Sequence, residues 1–307
     1  MADGRAVILD SFGGPEVLQV RQVPAPQAGP GEVRVRVTAA GLNPMDWYMT
    51  ADAKSGARFG LKLPIGFGTD YAGVVDQVGA GVTSFSPGDR VFGGAFTRAV
   101  ADFVVVKASG NTAANEAHHT PDGVDDRTAA CLTIAGRTAS DVLSVVKVGP
   151  KDTVLIGGAA GGVGVFAVQL ARLAGARVIG TGSATSADFL RSLGAEPVTY
   201  GDGLVDRVRA LGGVTAVIDL YGTETVLAAR ALGVPDNRIT MIATTLAGIV
   251  TSNGANAAPG ALEEIAQLIA TGRLRVPIAA SFPIEQIRTA VELQAGRHVK
   301  GKVVVTL

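Results

Sequence analysis

The sequence predicts an α/β protein in which a barrel-like β domain is followed by a doubly wound parallel sheet. First, residues 1 to about 110 contain short β-branched runs separated by turns rich in glycine and proline, which is typical of small barrels. Second, helical and strand segments alternate after residue 120, as they do in parallel sheets. Third, a glycine-rich turn within 154–170 lies between an apolar strand and an apolar helix.

The first half is expected to be mainly β structure. Several of its apolar runs alternate with polar residues, as in half-buried strands. The runs are AVILD (6–10), VLQVRQV (17–23), EVRVRVTAA (32–40), YAGVVDQVG (71–79), DRVFGG (89–94) and DFVVVKA (102–108). The polar stretch 111–126 lacks apolar periodicity and is expected to be a linker.

The second half is expected to alternate between helices and parallel strands. Helices are predicted at 128–147, 163–174, 185–193, 202–211, 223–231, 260–271 and 284–295. Strands are predicted at 153–157, 176–181, 197–199, 215–219 and 238–243, and KVVVTL (302–307) is a closing strand.

The composition argues against several classes of partner. The chain has 307 residues, with 27 basic and 27 acidic side chains, so its charge does not favour nucleic acid or an acidic membrane surface. The apolar windows at 154–171 and 239–250 are too short or too interrupted to span a bilayer. Cys131 is the one cysteine, so no internal disulfide can form; a cytoplasmic location is expected, with Cys131 as a small core residue at a helix start.

The segment VLIGGAAGGVGVFAVQL (154–170) reads as strand, turn and helix, because its five glycines would destabilise a continuous helix. Its glycine pattern has the spacing of a dinucleotide-binding turn, with alanine in place of the first glycine, and predicts that backbone N–H groups approach a pyrophosphate. The predicted cofactor-binding residues here are Ala159, Gly161, Gly162, Val163 and Gly164. The alternative is a tight βα turn without a ligand.

The next strand ends without the carboxylate that binds the ribose of NAD. The sequence after Thr181 is rich in small and hydroxyl residues, and no Asp or Glu occurs before Asp188. A carboxylate would repel a 2′-phosphate whereas hydroxyl groups can bind it, so NADPH is predicted, with Ser183 and Ser186 as binding residues. The alternative is a plain loop, and no Lys or Arg lies within 182–190 to neutralise the phosphate.

Five motifs in order resemble the medium-chain dehydrogenase/reductase superfamily, in its zinc-independent, zeta-crystallin-like quinone oxidoreductase branch. Besides the glycine turn, they are AAGLNPMDWY (39–48), GTDYAGVVDQVGAGVTSFSPGDRVFG (68–93), LTIAGRTA (132–139) and GRHVKGKVVVTL (296–307). The resemblance implies a GroES-like catalytic domain over 1–120, to which 252–307 returns. It also implies a Rossmann NADP-binding domain over 121–251.

The resemblance also bears on the metal. Zinc-dependent relatives place ligands where this chain has Asn43 and Asp70, and their structural zinc requires four cysteines. The remaining candidates are His118, His119 and Cys131, but adjacent histidines point in different directions. A catalytic zinc needs three protein ligands and an open position, so no metal is expected.

The resemblance implies the roles of the remaining site residues. Asn43 and Tyr48 would line the nicotinamide and the acceptor as catalytic residues, although Tyr48 can also be read as a packing aromatic. Thr138 would lie near the nicotinamide amide, or bond its own helix. If 39–48 is extended, Asp46 shares the side of Tyr48 and is a surface charge or a turn residue. Further cofactor contacts are implied for Tyr200, Ala243, Thr244, Thr245, Arg297 and Lys302, although Lys302 can also be read as a solvated charge.

Together these features predict a metal-free, NADPH-dependent oxidoreductase that transfers a hydride to a quinone or to an α,β-unsaturated carbonyl compound. Without a Lewis acid, oxidation of simple alcohols is not expected. One alternative is a dedicated enoyl reductase of the fatty-acid or polyketide type. Another is a non-catalytic NADPH-binding module. The resemblance also implies a homodimer.

Overall fold

The computed structural model describes residues 3–109 and 115–307. The chain forms two compact units, one made of Met1–Ile134 with Leu262–Leu307 and the other of Ala135–Ala261. The domain boundaries expected from the sequence follow residues 120 and 251, whereas the boundaries of the compact units follow residues 134 and 261.

The elements expected from the sequence occur in their expected order, together with additional elements that were not expected. The strands are β1 (Asp3–Leu9), β2 (Gln19–Pro24), β3 (Glu32–Leu42), β4 (Ile65–Gly66), β5 (Asp70–Val78), β6 (Arg90–Ala95), β7 (Phe103–Lys107), β8 (Asn115–His119), β9 (Thr153–Gly157), β10 (Arg177–Gly182), β11 (Glu196–Thr199), β12 (Ala216–Asp219), β13 (Ile239–Met241), β14 (Val250–Thr251), β15 (Ile278–Pro283) and β16 (Lys302–Thr306). The helices are α1 (Pro44–Tyr48), α2 (Ala53–Arg58), α3 (Asp126–Ala129), α4 (Thr133–Val145), α5 (Gly164–Leu173), α6 (Ala187–Ser192), α7 (Leu204–Ala210), α8 (Glu224–Ala231), α9 (Ala261–Ala270) and α10 (Ile287–Ala295). The additional elements are α1, α2, β4, β14 and β15.

The first unit is built on a mostly antiparallel sheet in the order β15-β16-β3-β5-β6-β8. Strand β3 is long enough to pair with β7 along its first half and with β16 along its second half. Its alternating valines are buried in a core shared with β5, β6 and β7, which is what period-2 patterning predicts. The C-terminal segment adds two strands to this sheet, because β16 pairs with β3 and β15 pairs with β16.

The second unit is a parallel sheet in the order β11-β10-β9-β12-β13-β14, with helices between successive strands from β9 to β13. Its central strands are buried apolar runs, as expected when helices cover both faces of a sheet. The chain leaves β9 in one direction to β10 and β11, and later returns to the other side of β9 with β12. Ligands bind parallel sheets at such a switch point, outside the carboxyl ends of the strands.

Two local expectations were wrong. The segment 111–126 is not a plain linker, because Asn115–His119 forms β8 and pairs with β6; residues 111–114 lie outside the described part. The helix expected over 128–147 is divided into α3 and α4, and Asp125 caps α3 by accepting hydrogen bonds from the backbone of Arg127 and Thr128. Cys131 lies between the two helices and is fully buried.

Candidate functional site

The glycine turn of the second unit joins the end of β9 to the start of α5. Gly158 has φ of +68°, a conformation that favours glycine, and its N–H donates to the hydroxyl of Thr181 on β10 over 3.2 Å. No side chain caps the N terminus of α5 among the described residues. The first N–H groups of a helix have no partner within it, so this end offers donors and a positive dipole to an anion.

Two glycines of this turn serve different purposes. A Cβ at Gly164 would lie 2.5 Å from the carbonyl oxygens of both Gly158 and Ala159, so glycine is needed there for the turn to close on the helix. A Cβ at Gly161 would meet only the carbonyl oxygen of Gly158, at 3.3 Å, and φ at this residue is ordinary. A side chain at residue 161 therefore requires only a small shift of the Gly158 carbonyl, and the space beyond it suits a ligand.

The end of β10 presents a cluster of hydroxyl groups. The Ser183 Oγ lies 2.9 Å from both the Thr185 Oγ1 and the Ser186 Oγ. Ser186 is buried, whereas Ser183 and Thr185 are partly or fully exposed. Ser183 and Ser186, the phosphate-binding residues predicted from the sequence, lie together at the carboxyl edge of the sheet.

Tyr200 lies just after β11, the neighbour of β10, and its side chain is more than half exposed. The loop that carries it is held by Arg207 of α7, whose guanidinium donates to the backbone carbonyls of residues 199–202. This arginine was not identified from the sequence, because it lies outside the segment searched for a basic residue. It brings a positive charge to the loop after β11.

Other predicted residues of this unit are more dispersed. Ala243, Thr244 and Thr245 are exposed in the loop after β13, and Thr138 is half-buried on α4. Asp219 at the end of β12 was not predicted as a site residue; it is buried and accepts hydrogen bonds from the backbone of Tyr221, Gly222 and Thr225. A polar residue ending an apolar parallel strand is the signal that would have identified it.

In the first unit, residues 44–48 form the short helix α1 rather than an extended segment. Pro44 at the first helical position favours this start, and Asp46 accepts a hydrogen bond from the backbone N–H of Asn43 over 2.8 Å. Helical spacing places Asp46 and Tyr48 on different faces. Asp46 is therefore not a surface charge: it is fully buried and also accepts a hydrogen bond from the Thr69 hydroxyl.

Asn43 belongs to a buried polar cluster at the ends of three adjacent strands. Its Nδ2 donates to the Asp70 Oδ2 over 3.0 Å, and its Oδ1 accepts from the Lys302 Nζ over 2.6 Å. Asn43, Asp70 and Lys302 are each 3% exposed or less. The reading of Lys302 as a solvated charge is therefore wrong, because its side chain points inward from the first residue of β16.

Burial changes the proton affinities of this cluster. Burial raises the pKa of Asp70 to about 7, although the charge of Lys302 and the hydrogen bond from Asn43 oppose the change. Burial likewise raises the pKa of Asp46 to about 6, against the hydrogen bonds that it accepts from Asn43 and Thr69. The cluster thus holds two carboxyl groups and one ammonium group away from water.

Tyr48 and Arg297 lie at the surface of this unit. Tyr48 is 43% exposed at the end of α1. The guanidinium of Arg297 lies 5.7 Å from the ring centre of Trp47, which packs against the apolar core.

The histidine and cysteine candidates do not converge. His118 binds Glu263 through its Nδ1 at 2.7 Å and stacks on Phe92, whereas His119 contacts the backbone oxygen of Ser84. Burial raises the pKa of Cys131 to about 12, which disfavours the thiolate that a metal requires. Within 3–109 and 115–307, no group of three or more His, Cys, Asp or Glu side chains is arranged to hold a metal ion.

None of the helices in the described ranges has the length and apolar character needed to span a membrane.

Two family models match the chain. One, described as the alcohol dehydrogenase GroES-like domain, matches residues 29–122. The other, described as zinc-binding dehydrogenase, matches residues 193–305.

Curated relatives align over part or nearly all of the chain. A quinone oxidoreductase of Salmonella typhimurium is 31% identical over 94% of this chain and 95% of its own length. A quinone oxidoreductase of Pseudomonas aeruginosa is 38% identical over 62% of this chain, and that alignment spans only 57% of the Pseudomonas protein.

Solved structures resemble the whole chain. The quinone oxidoreductase of Coxiella burnetii is 29% identical, with a TM-score of 0.87 and full coverage of both chains. Mycobacterial Rv1454c, solved with NADPH, is 28% identical with a TM-score of 0.86, over 99% of this chain and 100% of that one. The CurK enoyl reductase is 25% identical with a TM-score of 0.86, over 99% of both chains. The predicted α/β fold with a GroES-like domain is thereby confirmed.

Proposed function

This chain belongs to the quinone oxidoreductase family of the medium-chain dehydrogenase/reductase superfamily and is an enzyme of that kind, and we propose that it transfers a hydride from NADPH to a quinone or an α,β-unsaturated carbonyl compound without a metal ion. The observation that carries the proposal is the uncapped N terminus of α5, with open space at Gly161 and hydroxyl groups at the end of the neighbouring strand.

The residues present fit NADPH. Backbone N–H groups of residues 162–164 would hold the pyrophosphate at the start of α5, whereas the N–H of Gly161 donates to the carbonyl oxygen of Gly158 over 3.0 Å. Ser183 and Ser186 would bind the 2′-phosphate, with Tyr200 and the positive charge of Arg207 on the adjacent loop. Ala243, Thr244, Thr245, Thr138 and Arg297 remain candidates for contacts with the rest of the cofactor. NADPH binding by the related Rv1454c supports this assignment.

The side chains at the metal-ligand positions do not fit a zinc ion. The Asn43 Oδ1 already accepts from the ammonium of Lys302, and Asp70 accepts from the Asn43 amide and from the backbone N–H of Ile134. A cation placed there would be repelled by the ammonium group. We therefore propose that the reaction depends on hydrogen-bond donors of the protein.

The chemistry supplied by NADPH, when bound, is a hydride with its two electrons. Negative charge then develops on the oxygen of the acceptor, and a donor directed at that oxygen stabilises the transition state. We assign this role to the side-chain amide of Asn43 and the hydroxyl of Tyr48. The Tyr48 hydroxyl would give its proton to that oxygen, and the phenolate left behind would regain a proton from water, which can reach it because Tyr48 is 43% exposed.

The test is NADPH binding followed by NADPH oxidation in the presence of EDTA. The acceptors are 1,4-benzoquinone, 9,10-phenanthrenequinone, an enone and an enoyl thioester. We expect turnover of the quinones and the enone, with tighter binding of NADPH than of NADH. Loss of activity in EDTA, restored by zinc, would overturn the metal-free mechanism, and binding without any turnover would leave an NADPH-binding module.

A dedicated enoyl reductase is the second candidate, and the similarity to the CurK enoyl reductase favours it. A kcat/KM for the enoyl thioester well above those for both quinones would assign the protein to that class.

We also propose that the enzyme is a cytoplasmic homodimer. Light scattering would then give about twice the chain mass of 31.1 kDa, and cell fractionation would recover the protein with cytoplasmic markers.

A further inference from the structure

Lys302 has a buried side chain, and its ammonium group is bound by oxygen atoms of the protein. It begins β16, is 2% exposed, and its Nζ donates to the carbonyl oxygen of Leu42 over 3.1 Å and to the Asn43 Oδ1 over 2.6 Å. An ammonium group is costly to bury unless acceptors and opposite charge surround it. Both of its hydrogen-bond acceptors are uncharged: one is the backbone carbonyl at the end of β3, and the other is the side-chain amide of Asn43.

The NH₂ group of the Asn43 side chain is also bound. The Asn43 Nδ2 donates to the Asp70 Oδ2, and the carboxylate of Asp70 is itself held by the backbone N–H of Ile134 at 3.1 Å. Since β16, β3 and β5 are neighbours in the sheet, Lys302, Asn43 and Asp70 lie in a row across three strand ends.

This row gives the amide one orientation. If the amide rotated by 180°, its NH₂ group would face the ammonium of Lys302 and its oxygen would face the carboxylate of Asp70. Both contacts would change from attraction to repulsion. One N–H of the Nδ2 group is used by Asp70, so the direction of the second N–H is determined as well.

We propose that Lys302 and Asp70 are positioning residues, which hold the Asn43 amide so that its second N–H is directed at the oxygen of the bound acceptor. The inference rests on the proposed function, in which Asn43 is a donor. It assigns Lys302 to the orientation of Asn43 rather than to direct contact with NADPH. A donor that is already oriented adds no reorganisation cost at the moment of reaction.

The test compares K302M, K302R and the control K54M, which changes an exposed lysine of α2. We expect K302M to lower kcat for NADPH oxidation by at least about tenfold, with the Kd of NADPH within about threefold of the wild type. K302R, which keeps the charge, should recover part of kcat, and K54M should match the wild type. An equal loss of NADPH affinity in K302M, or an unchanged kcat, would overturn the inference.

An NMR measurement separates this inference from the proposed function. The side-chain amide signals of Asn43, assigned with N43D, should move in K302M and D70N but not in K54M, and their hydrogen exchange should become faster. This readout needs no acceptor, so it decides the inference even if the wild type reduces none of the compounds tested. Signals unchanged in both variants would contradict it. If K302M does not fold, K302R and the charge-neutral double variant K302M/D70N supply the same comparison.

Discussion

The two units of this protein present functional groups in opposite ways. In the second unit, the turn between β9 and α5 is contiguous in sequence and offers backbone donors with hydroxyl groups nearby. In the first unit, the Asn43 cluster joins side chains from three strands, and Asn43 and Lys302 are 259 residues apart in the sequence. The glycine turn thus consists of backbone groups that are close in sequence, whereas the Asn43 cluster consists of charged and polar side chains that are distant in sequence.

The comparison shows which kind of site is vulnerable to which kind of change. Added side-chain volume should damage the glycine turn, because its function is to leave space for a ligand. Changes of charge or pH should damage the Asn43 cluster, because its groups are stabilised by one another and are isolated from water. The first two experiments below act on these two properties, and the last two act on hydroxyl groups of the two units.

The largest effect is expected from Gly161→Val. The branched side chain should fill the space kept for the pyrophosphate and raise the Kd of NADPH by roughly 100-fold, or about 2.7 kcal/mol. The melting temperature should fall only modestly, because a Cβ at this position meets one backbone oxygen at 3.3 Å, which a small shift relieves. Calorimetric titration with NADPH and thermal unfolding check the two parts.

Gly149→Ala is the matched control, because a Cβ there meets only the Asp152 Oδ2 at 4.0 Å. It should leave both the Kd and the melting temperature unchanged. If Gly161→Val unfolds the protein instead, glycine is required at residue 161 for folding, as it is at residue 164, and the proposed role in ligand binding is contradicted.

The next effect concerns Asp70 and pH. The pKa of this carboxyl is raised in the folded state, to about 7, so folding favours its protonated form. Its contribution to stability is present below the unfolded pKa and is lost as the pH rises through the folded value. We expect the free energy of unfolding of Asp70→Asn, relative to the wild type, to rise on the order of 3 kcal/mol between pH 4 and pH 7.5.

Urea unfolding across that pH range measures this difference. Asp188→Asn is the control, since the side chain of Asp188 is almost fully exposed and forms only a surface ion pair with Arg191. A difference between Asp70→Asn and the wild type that is independent of pH would show that Asp70 is ionised in the fold throughout.

A smaller effect is expected from Ser183→Asp, which places a carboxylate among the hydroxyl groups after β10. It should repel a 2′-phosphate and bond the ribose 2′-OH instead, shifting the ratio of NADPH to NADH affinity by about tenfold towards NADH. Parallel titrations with both cofactors measure the ratio, and Ser144→Asp on the exposed face of α4 is the control. An unchanged ratio would place the 2′-phosphate elsewhere.

The smallest effect is expected from Tyr48→Phe. If Tyr48 donates to the acceptor while water can replace its proton, kcat should fall by about threefold to fivefold with NADPH affinity unchanged. Tyr200→Phe should do the reverse, weakening NADPH binding slightly at the same kcat. Steady-state kinetics of both variants test this, and identical effects of the two changes would contradict the separate roles.

The sequence alone determined the order of elements and the glycine turn, because both depend on neighbours in the chain. Apolar periodicity located the parallel strands to within a few residues, and glycine spacing identified the turn after β9. The predictions from periodicity failed where a single residue starts a new helix. Asp125 starts the short separate helix α3 by capping its N terminus, and Pro44 starts a helix where an extended segment was predicted.

Only the tertiary structure decided the environment of the charged residues. Nothing local to GRHVKGKVVVTL distinguishes Lys302 from an exposed lysine, and nothing local to GTDYAG shows that Asp70 meets it through Asn43. Burial and pairing depend on which strands become neighbours, and β16 reaches β3 only because the C-terminal segment returns to the first sheet. Sequence spacing predicts where a backbone can admit a ligand, whereas the partners of a buried charge come from residues that are distant in the chain.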